Sequence, residues 1–289
     1  MEYQISGHTK LFALIGTPVA HSLSPAMHNY SFQKLGLDCV YVALDVPAEK
    51  TAKAVEAIRT LGICGCNVTM PHKTAVVPYL DELSPAAQMT GAVNTIVNRD
   101  GVLAGHTTDG EGFVLNLADH GVDVAGKQIV VAGAGGAATA VQVQCALSGA
   151  AGVHILQRAG KSYARAQKTA ETIRKEVPSC AADVTDLNDT EAVTACVRRA
   201  DILINGTSVG MKPADDQSII KDAGAFHAGL VVADAVYNPV ETRLLQDAKA
   251  AGCQCVDGTG MLLWQGVAAF RLFTGMEMPA EEVKTLFFK

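Results

Sequence analysis

Short apolar runs alternate with helically spaced segments along the whole chain. In the first third, "LFALIG" (11–16), "CVYVALDV" (39–46) and "CGCNVTM" (64–70) predict strands. Between the first two, "SPAMHNYSFQKLG" opens with Ser24 and Pro25, a cap and first-turn pair, and ends on Gly36. The stretch 48–62 spaces Val55, Ile58 and Leu61 at helical intervals and ends on Gly62. "AVNTIVNRDGVLAGHTT" predicts a hairpin turning at "RDG".

From about residue 127 the alternation is more regular. "QIVVAG", "GVHIL", "DILING" and "LVVADAV" are continuous apolar runs, as strands buried on both faces require. Helices fall between them. Tyr163, Ala166, Ala170, Ile173 and Val177 repeat at helical spacing, and "NDTEAVTACVRRA" puts Asn188 and Glu191 in capping-box positions. The pattern predicts an α/β protein with mostly parallel strands. The domain change is expected near "TTDGEGF", where the hairpin gives way to a helix over 109–121.

Composition narrows the class. Of 289 residues, 49% are hydrophobic and 18% charged, and the net charge is −6. There is no long basic run, which argues against nucleic acid and anionic membranes as partners. "GMLLWQGVAAFRLFTG" carries Gln265 and Arg271 and falls short of the roughly 20 apolar residues of a membrane span. "MEYQISGHTK" lacks a basic region followed by an apolar one, so no secretory signal is expected and the location is read as cytoplasmic. Eight cysteines include the pairs Cys64/Cys66 and Cys253/Cys255, with no further pair at zinc-finger spacing, so reduced thiols and no metal are expected.

"VVAGAGGAATA" (130–140) arranges Gly133, Gly135 and Ala138 as G-x-G-x-x-A, directly after a strand and before a helix. Gly133 permits a tight turn, and Gly135 lets backbone approach a pyrophosphate. Ala138 lets helix and strand pack closely, with the helix N-terminus facing the negative charge. The plain alternative is a tight turn with no ligand. Gly133, Ala134, Gly135, Gly136 and Ala137 are the candidate phosphate cradle. An NAD site has an acidic residue about 20 residues on, whereas no Asp or Glu occurs from Val124 to Ala170. "LQRAGKSYARA" offers Gln157, Arg158, Lys161 and Arg165 there, so NADP(H) is favoured and NAD(H) possible.

Polar residues also gather elsewhere. In "NVTMPHK" (67–73), Pro71 stops a strand ladder, leaving Asn67, Thr69 and Lys73 at a strand end, where open α/β sheets place ligand crevices. Asp109 lies just before a helix in "GHTTDGEG", where an N-cap would also explain it. Ser22 and Ser24 share a face if extended, at the mouth of a helix, and Asn94 stands early in the hairpin.

"HSLSPAMHN", "NVTMPHK", "GAVNT", "TTDGEGF", "GAGGAA", "NGTSVGM", "DAVYNPVETRLL" and "GTGMLLWQG" occur in this order over residues 11–275. In that series the chain resembles the shikimate dehydrogenase family, including its quinate/shikimate branch. The resemblance implies a substrate domain over 1–108, completed by helices at 258–289, and a Rossmann-type doubly wound dinucleotide domain over 109–257. It implies reversible NAD(P)H-dependent reduction of 3-dehydroshikimate to shikimate in the chorismate pathway. Lys73 and Asp109 would be the catalytic pair, with Lys73 as proton donor and Asp109 orienting it and a substrate hydroxyl. Ser22 and Ser24 would hold the carboxylate, helped by Tyr237. Thr69, Asn94, Thr108 and Gln265 would bind ring hydroxyls, and Asn67 would support the Lys73 segment. Thr207, Ala235 and Gly258 would join Gln157, Arg158 and Lys161 on the cofactor side. The expected partners are small cyclic hydroxy acids, in a monomer or homodimer.

Some positions depart from the family pattern. Thr107 stands where the family has Asn, and "QRA" replaces "NRT", putting Ala159 in the threonine's place. His72 is read as a bystander to Lys73, and His28 as a helix residue facing its own domain. A quinate/shikimate dehydrogenase using NAD(H) or both cofactors, and a non-catalytic sensor of a dinucleotide or ring acid, are the alternatives.

Overall fold

A computed structural model describes residues 5–288. The chain divides into two compact units, one running to Thr108 and resuming at Leu263, the other formed by Asp109–Leu262.

The first unit contains strands β1 (Lys10–Gly16), β2 (Cys39–Asp45), β3 (Gly65–Val68), β4 (Glu82–Leu83), β5 (Thr95–Arg99) and β6 (Val102–His106), in the order β2-β1-β3-β5-β6-β4. β1 pairs in parallel with β2 and β3, whereas β5 runs antiparallel to both β3 and β6. The sheet is therefore mixed. Alternation along β1 sends Phe12 and Leu14 to a core with Met27, Phe32 and Phe270, and Ala13 and Ile15 to a core with Val55 and Ile58. The hairpin turns at Asp100 (φ 53°) and Gly101 (φ 93°), the paired positive φ values of a type I′ turn. Asn98 Oδ1 accepts the Gly101 N–H at 2.8 Å.

Helices α1 (Ser24–Lys34), α2 (Thr51–Thr60) and α3 (Pro85–Thr90) belong to this unit. Ser24 does not cap α1. It is the first helical residue, with Leu23 flanking it and no side-chain cap, and its N–H donates to Ser22 Oγ at 3.2 Å. β3 stops at Val68, two residues short of the apolar run, and the short β4 has no counterpart in the sequence pattern.

The second unit starts with α4 (Asp109–Asp119), followed by β7 (Gln128–Ala132), α5 (Gly136–Leu147), β8 (Gly152–Gln157) and α6 (Tyr163–Glu176). Next come β9 (Ala181–Asp186), α7 (Thr190–Val197), β10 (Ile202–Asn205), β11 (Val231–Asp234), α8 (Arg243–Ala250) and β12 (Gln254–Val256). The sheet order β12-β11-β10-β7-β8-β9, all parallel, is the doubly wound order of dinucleotide-binding folds, with its switch point between β7 and β10. The cap of α7 is Asp189 rather than Asn188. Its side chain accepts the Ala192 N–H at 3.0 Å, while Asn188 donates to Asp186 Oδ1. α9 (Thr259–Thr274) begins in the second unit and α10 (Ala280–Phe287) ends the first. The division falls inside α9 at 262/263, not at 258. From Leu263 on, α9 packs Val267 and Phe270 into the core with Met27, and a Cβ at Gly266 would come 2.8 Å from Met27 Cε.

Among the described residues no helix is long and apolar enough to cross a membrane, and no group of three or more His, Cys, Asp or Glu is placed to hold a metal. The eight cysteines are free thiols.

Candidate active site

In the first unit a buried polar cluster joins residues of all four segments. Asn67 lies directly opposite Thr95 across β3 and β5. Its Nδ2 donates to the Asn94 carbonyl at 3.2 Å and to Thr95 Oγ1 at 3.0 Å. A backbone carbonyl only accepts, so the amide is turned with Oδ1 toward Tyr41, whose hydroxyl donates to it at 2.8 Å. Burial pushes the Tyr41 phenol well above its usual pKa, so it keeps that proton, and its oxygen takes the hydrogen bond of Ser24. On the far side of the cluster Asn94 Nδ2 donates to Thr108 Oγ1 at 3.0 Å, and the Thr108 N–H donates to Asn94 Oδ1 at 2.8 Å. Ser24, Asn67, Asn94 and Thr108 thus share one directed network. It runs through Tyr41 and Thr95, which the sequence did not single out.

The segment after β3 carries Thr69 and Lys73. Gly16 ends β1 beneath Thr69; a Cβ there would run into Thr69 Cγ2. The loop is held by its own main chain, with His72 N–H donating to Thr69 O (2.9 Å), Val76 N–H to His72 O (3.0 Å) and Val93 N–H to Lys73 O (2.8 Å). Lys73 is half-buried. His72 is fully buried, with Nδ1 2.7 Å from Thr51 Oγ1 and Nε2 2.8 Å from the Val46 carbonyl, so it pins this loop to the start of α2. Gln265 lies on α9, in the part that belongs to the first unit.

Asp109 and Tyr237 belong to the second unit. Asp109 is the first residue of α4, where a carboxylate complements the helix dipole, and Tyr237 is 48% exposed beyond β11.

At the switch point Gly133 adopts φ 109°, a value that favours glycine, and a Cβ there would lie 3.1 Å from Thr207 Cγ2 and 3.2 Å from Ala138 Cβ. Gly133, Ala138 and Thr207 therefore meet at the ends of β7 and β10. Gly135 and Gly136 have open space where a side chain would stand, and Gly135 flanks the N-terminus of α5. A cradle of exposed backbone at a helix start fits a pyrophosphate. Gly258 touches the Ala235–Val236 backbone, where a Cβ would come 2.6 Å from the Val236 carbonyl oxygen.

Gln157 ends β8, and Arg158, Ala159 and Lys161 follow it exposed. An acid does reach this segment from the next strand, since Asp186 Oδ1 accepts the Ala159 N–H at 3.1 Å. Hydrogen bonds from the Asn188 and Ala159 backbone hold that carboxyl below its ordinary pKa. Sequence spacing could not reveal an acid arriving from a neighbouring strand.

Two family models match the chain, one described as the shikimate dehydrogenase substrate binding domain over residues 14–96, the other as the shikimate 5′-dehydrogenase C-terminal domain over 258–285. A shikimate dehydrogenase (NADP(+)) of Streptococcus uberis is 50% identical, covering 100% of this chain and 98% of that one. The chain belongs to the shikimate dehydrogenase family. A shikimate 5-dehydrogenase from Listeria monocytogenes, solved in complex with shikimate and NAD, superposes with a TM-score of 0.95 at 46% identity, covering 99% of this chain and 98% of that one. A quinate dehydrogenase from Corynebacterium glutamicum, solved with NAD, gives 0.85 at 34% identity, with 97% and 99% covered.

Thr107, where the family carries Asn, is buried beside the cluster residue Thr108. A second buried node was missed, although an acid inside the apolar run "LVVADAV" was its signal. Asp234 accepts from Asn205 Nδ2 (2.9 Å), the Val236 N–H (2.9 Å) and Thr242 Oγ1 (2.7 Å). Asn205 Oδ1 in turn accepts the Thr207 N–H and hydroxyl. The Asp234 carboxylate thus ties Thr207 to the Ala235–Tyr237 segment. Burial pushes its pKa up to about 6, against the pull of those three donors. A folded-state value above the unfolded 3.8 means its stabilisation is full below that pH and is lost as pH rises through 6. The whole effect is about 3 kcal/mol, of which about 1 kcal/mol falls between pH 5 and 7. Denaturant unfolding will therefore show wild type losing about 1 kcal/mol relative to Asp234→Asn over that range; a pH-independent gap would refute the assignment.

Proposed function

We propose that this chain is an NADP(H)-dependent shikimate dehydrogenase, acting in the cytoplasm on small cyclic hydroxy acids. The observation that carries the reading is the conjunction, in one member of this family, of the directed Asn67–Asn94–Thr108 cluster with the open glycine loop at the switch point. When bound, NADPH supplies the hydride for the 3-keto carbon of 3-dehydroshikimate. Negative charge then builds on the carbonyl oxygen. Lys73 offers both a compensating positive charge and the proton that completes the hydroxyl. Asp109 orients a ring hydroxyl. Ser22 and Ser24, at the N-terminus of an 11-residue helix, suit a carboxylate, because the helix dipole adds to their hydroxyls.

The ring-hydroxyl side falls to Thr69, Asn94, Thr108 and Gln265. Asn94 and Thr108 are already oriented by bonds to each other, so a substrate lacking a matching hydroxyl would leave polar groups unpaired. Tyr237 completes the carboxylate side. Arg158 and Lys161 serve the 2′-phosphate, and Gly133 to Ala137, Gln157, Thr207, Ala235 and Gly258 serve the rest of the cofactor. The quinate reading is not favoured, since the shikimate dehydrogenases cited stand at 46–50% identity against 34% for the quinate dehydrogenase. Incubation with 3-dehydroshikimate and NADPH will yield shikimate mole for mole by chromatography; NADPH stable in the presence of substrate would refute the proposal.

A further inference from the structure

Two side chains of the second unit reach the carbonyls of the glycine loop. Gln142, fully buried on α5, donates through Nε2 to the Gly133 carbonyl at 2.8 Å. Arg165, on α6, donates through Nη1 to the Ala134 carbonyl at 3.1 Å. The sequence had offered Arg165 as a third cation for a 2′-phosphate, yet here its Nη1 is turned to the loop carbonyl.

These bonds have a geometric consequence. In a trans peptide the C=O and the following N–H point in opposite directions. Drawing the Gly133 carbonyl toward Gln142 turns the Ala134 N–H the other way. Drawing the Ala134 carbonyl toward Arg165 does the same for the Gly135 N–H. Gly135 has nothing within 4 Å of where a side chain would stand, so this turn of chain is open to a ligand. Carbonyl oxygens carry partial negative charge and would repel a phosphate, whereas N–H groups attract it. Both clasps remove the repelling dipoles and present the attracting ones.

We infer that Gln142 and Arg165 are positioning residues that preset the glycine loop for the cofactor's pyrophosphate, with Arg165 acting through the loop and not on the 2′-phosphate. The inference rests on the glycine loop being the dinucleotide site. A dipole-aiming role affects every cofactor that carries a pyrophosphate. A role as 2′-phosphate ligand affects NADP alone.

Calorimetric titration of the full chain with NADP⁺ and with NAD⁺ separates the two. Losing one hydrogen bond of this kind is worth about 3- to 10-fold in Kd. Arg165→Ala and Gln142→Leu are each expected to raise Kd for both dinucleotides by the same factor within that range. Arg158→Ala, as reference, should weaken NADP⁺ alone. Because Gln142 is buried, its variant is checked by melting temperature; the exposed Arg165 allows the test whatever happens to Gln142. Loss confined to NADP⁺ in Arg165→Ala, or no loss for either dinucleotide, overturns the inference. Wild type binding neither dinucleotide would instead overturn the underlying assignment of the glycine loop.

Discussion

Replacing Lys73 by alanine will lower kcat for shikimate oxidation by about a thousandfold or more, while the dissociation constant for shikimate changes by less than about tenfold. The magnitude follows from what is removed. Proton transfer by a positioned side chain is worth roughly 10²- to 10⁴-fold, and the positive charge beside the developing oxyanion adds to that. The small effect on binding follows from how the loop is held. Its backbone bonds from His72, Val76 and Val93 are main-chain bonds that alanine keeps, and His72 still pins the loop to Thr51 and Val46. An interaction made chiefly in the transition state lowers kcat and kcat/KM together, and that is the pattern to look for in steady-state kinetics. A variant with unchanged turnover would remove Lys73 from the chemistry. A variant that no longer melts cooperatively would show that the loop depends on the side chain after all.

The second large effect concerns acid stability. His28 is 1% exposed, stacked on Tyr41 with centroids 4.5 Å apart and planes within 5°, and surrounded by Phe32, Phe270 and Phe273. Burial lowers its pKa from 6.5 to about 3. Among the rings that stack on it the titratable one is Tyr41, whose phenol burial keeps protonated. A depressed folded-state value means the stabilisation is present above the unfolded pKa and is lost as pH falls toward 3. The total is about 5 kcal/mol, of which about 3 kcal/mol is lost between pH 7 and 4.5. His28→Phe keeps an aromatic ring in an aromatic setting and removes the titration. Wild type will therefore lose about 3 kcal/mol relative to His28→Phe over that range, by denaturant unfolding at each pH. Parallel pH profiles would contradict the account. The neighbourhood adds a functional corollary, because Tyr41 holds Asn67 and takes the Ser24 hydrogen bond. His28 stays neutral in the folded chain until the pH approaches 3, so its charging accompanies unfolding, and shikimate binding should be lost together with the fold and not ahead of it.

Much of the architecture was legible because its strands are local apolar runs. "QIVVAG", "GVHIL", "DILING" and "LVVADAV" correspond to β7, β8, β10 and β11, and the "RDG" turn needs two positive φ values that Asp100 and Gly101 can adopt. β9 was not legible. It is an edge strand, and "AADVTD" mixes exposed, half-buried and buried positions instead of forming a continuous run. β4 has only two residues and exists through its pairing with β6. The cap at Asp189 was misplaced by one residue because three polar residues in a row all satisfy a cap motif, and only the fold decides which carbonyl leads into the helix.

The candidate site divides in the same way. Residues in short motifs, such as Asn67, Asn94 and Gly133, stand out as polar or glycine positions at element ends. Their partners do not. Tyr41 looks like any aromatic residue of a buried strand, and Gln142 like a helix polar residue, until the fold aims them at an amide or a carbonyl. Arg165 shows the converse, a cation legible as a phosphate ligand whose guanidinium is held by the loop itself.

Initial oxidation rates with shikimate and quinate, each with NADP⁺ and NAD⁺ in one buffer, test the central claim most directly. Shikimate with NADP⁺ is expected to exceed the other three combinations. Quinate with NAD⁺ as the fastest pair, or no rate in any of the four, would contradict it.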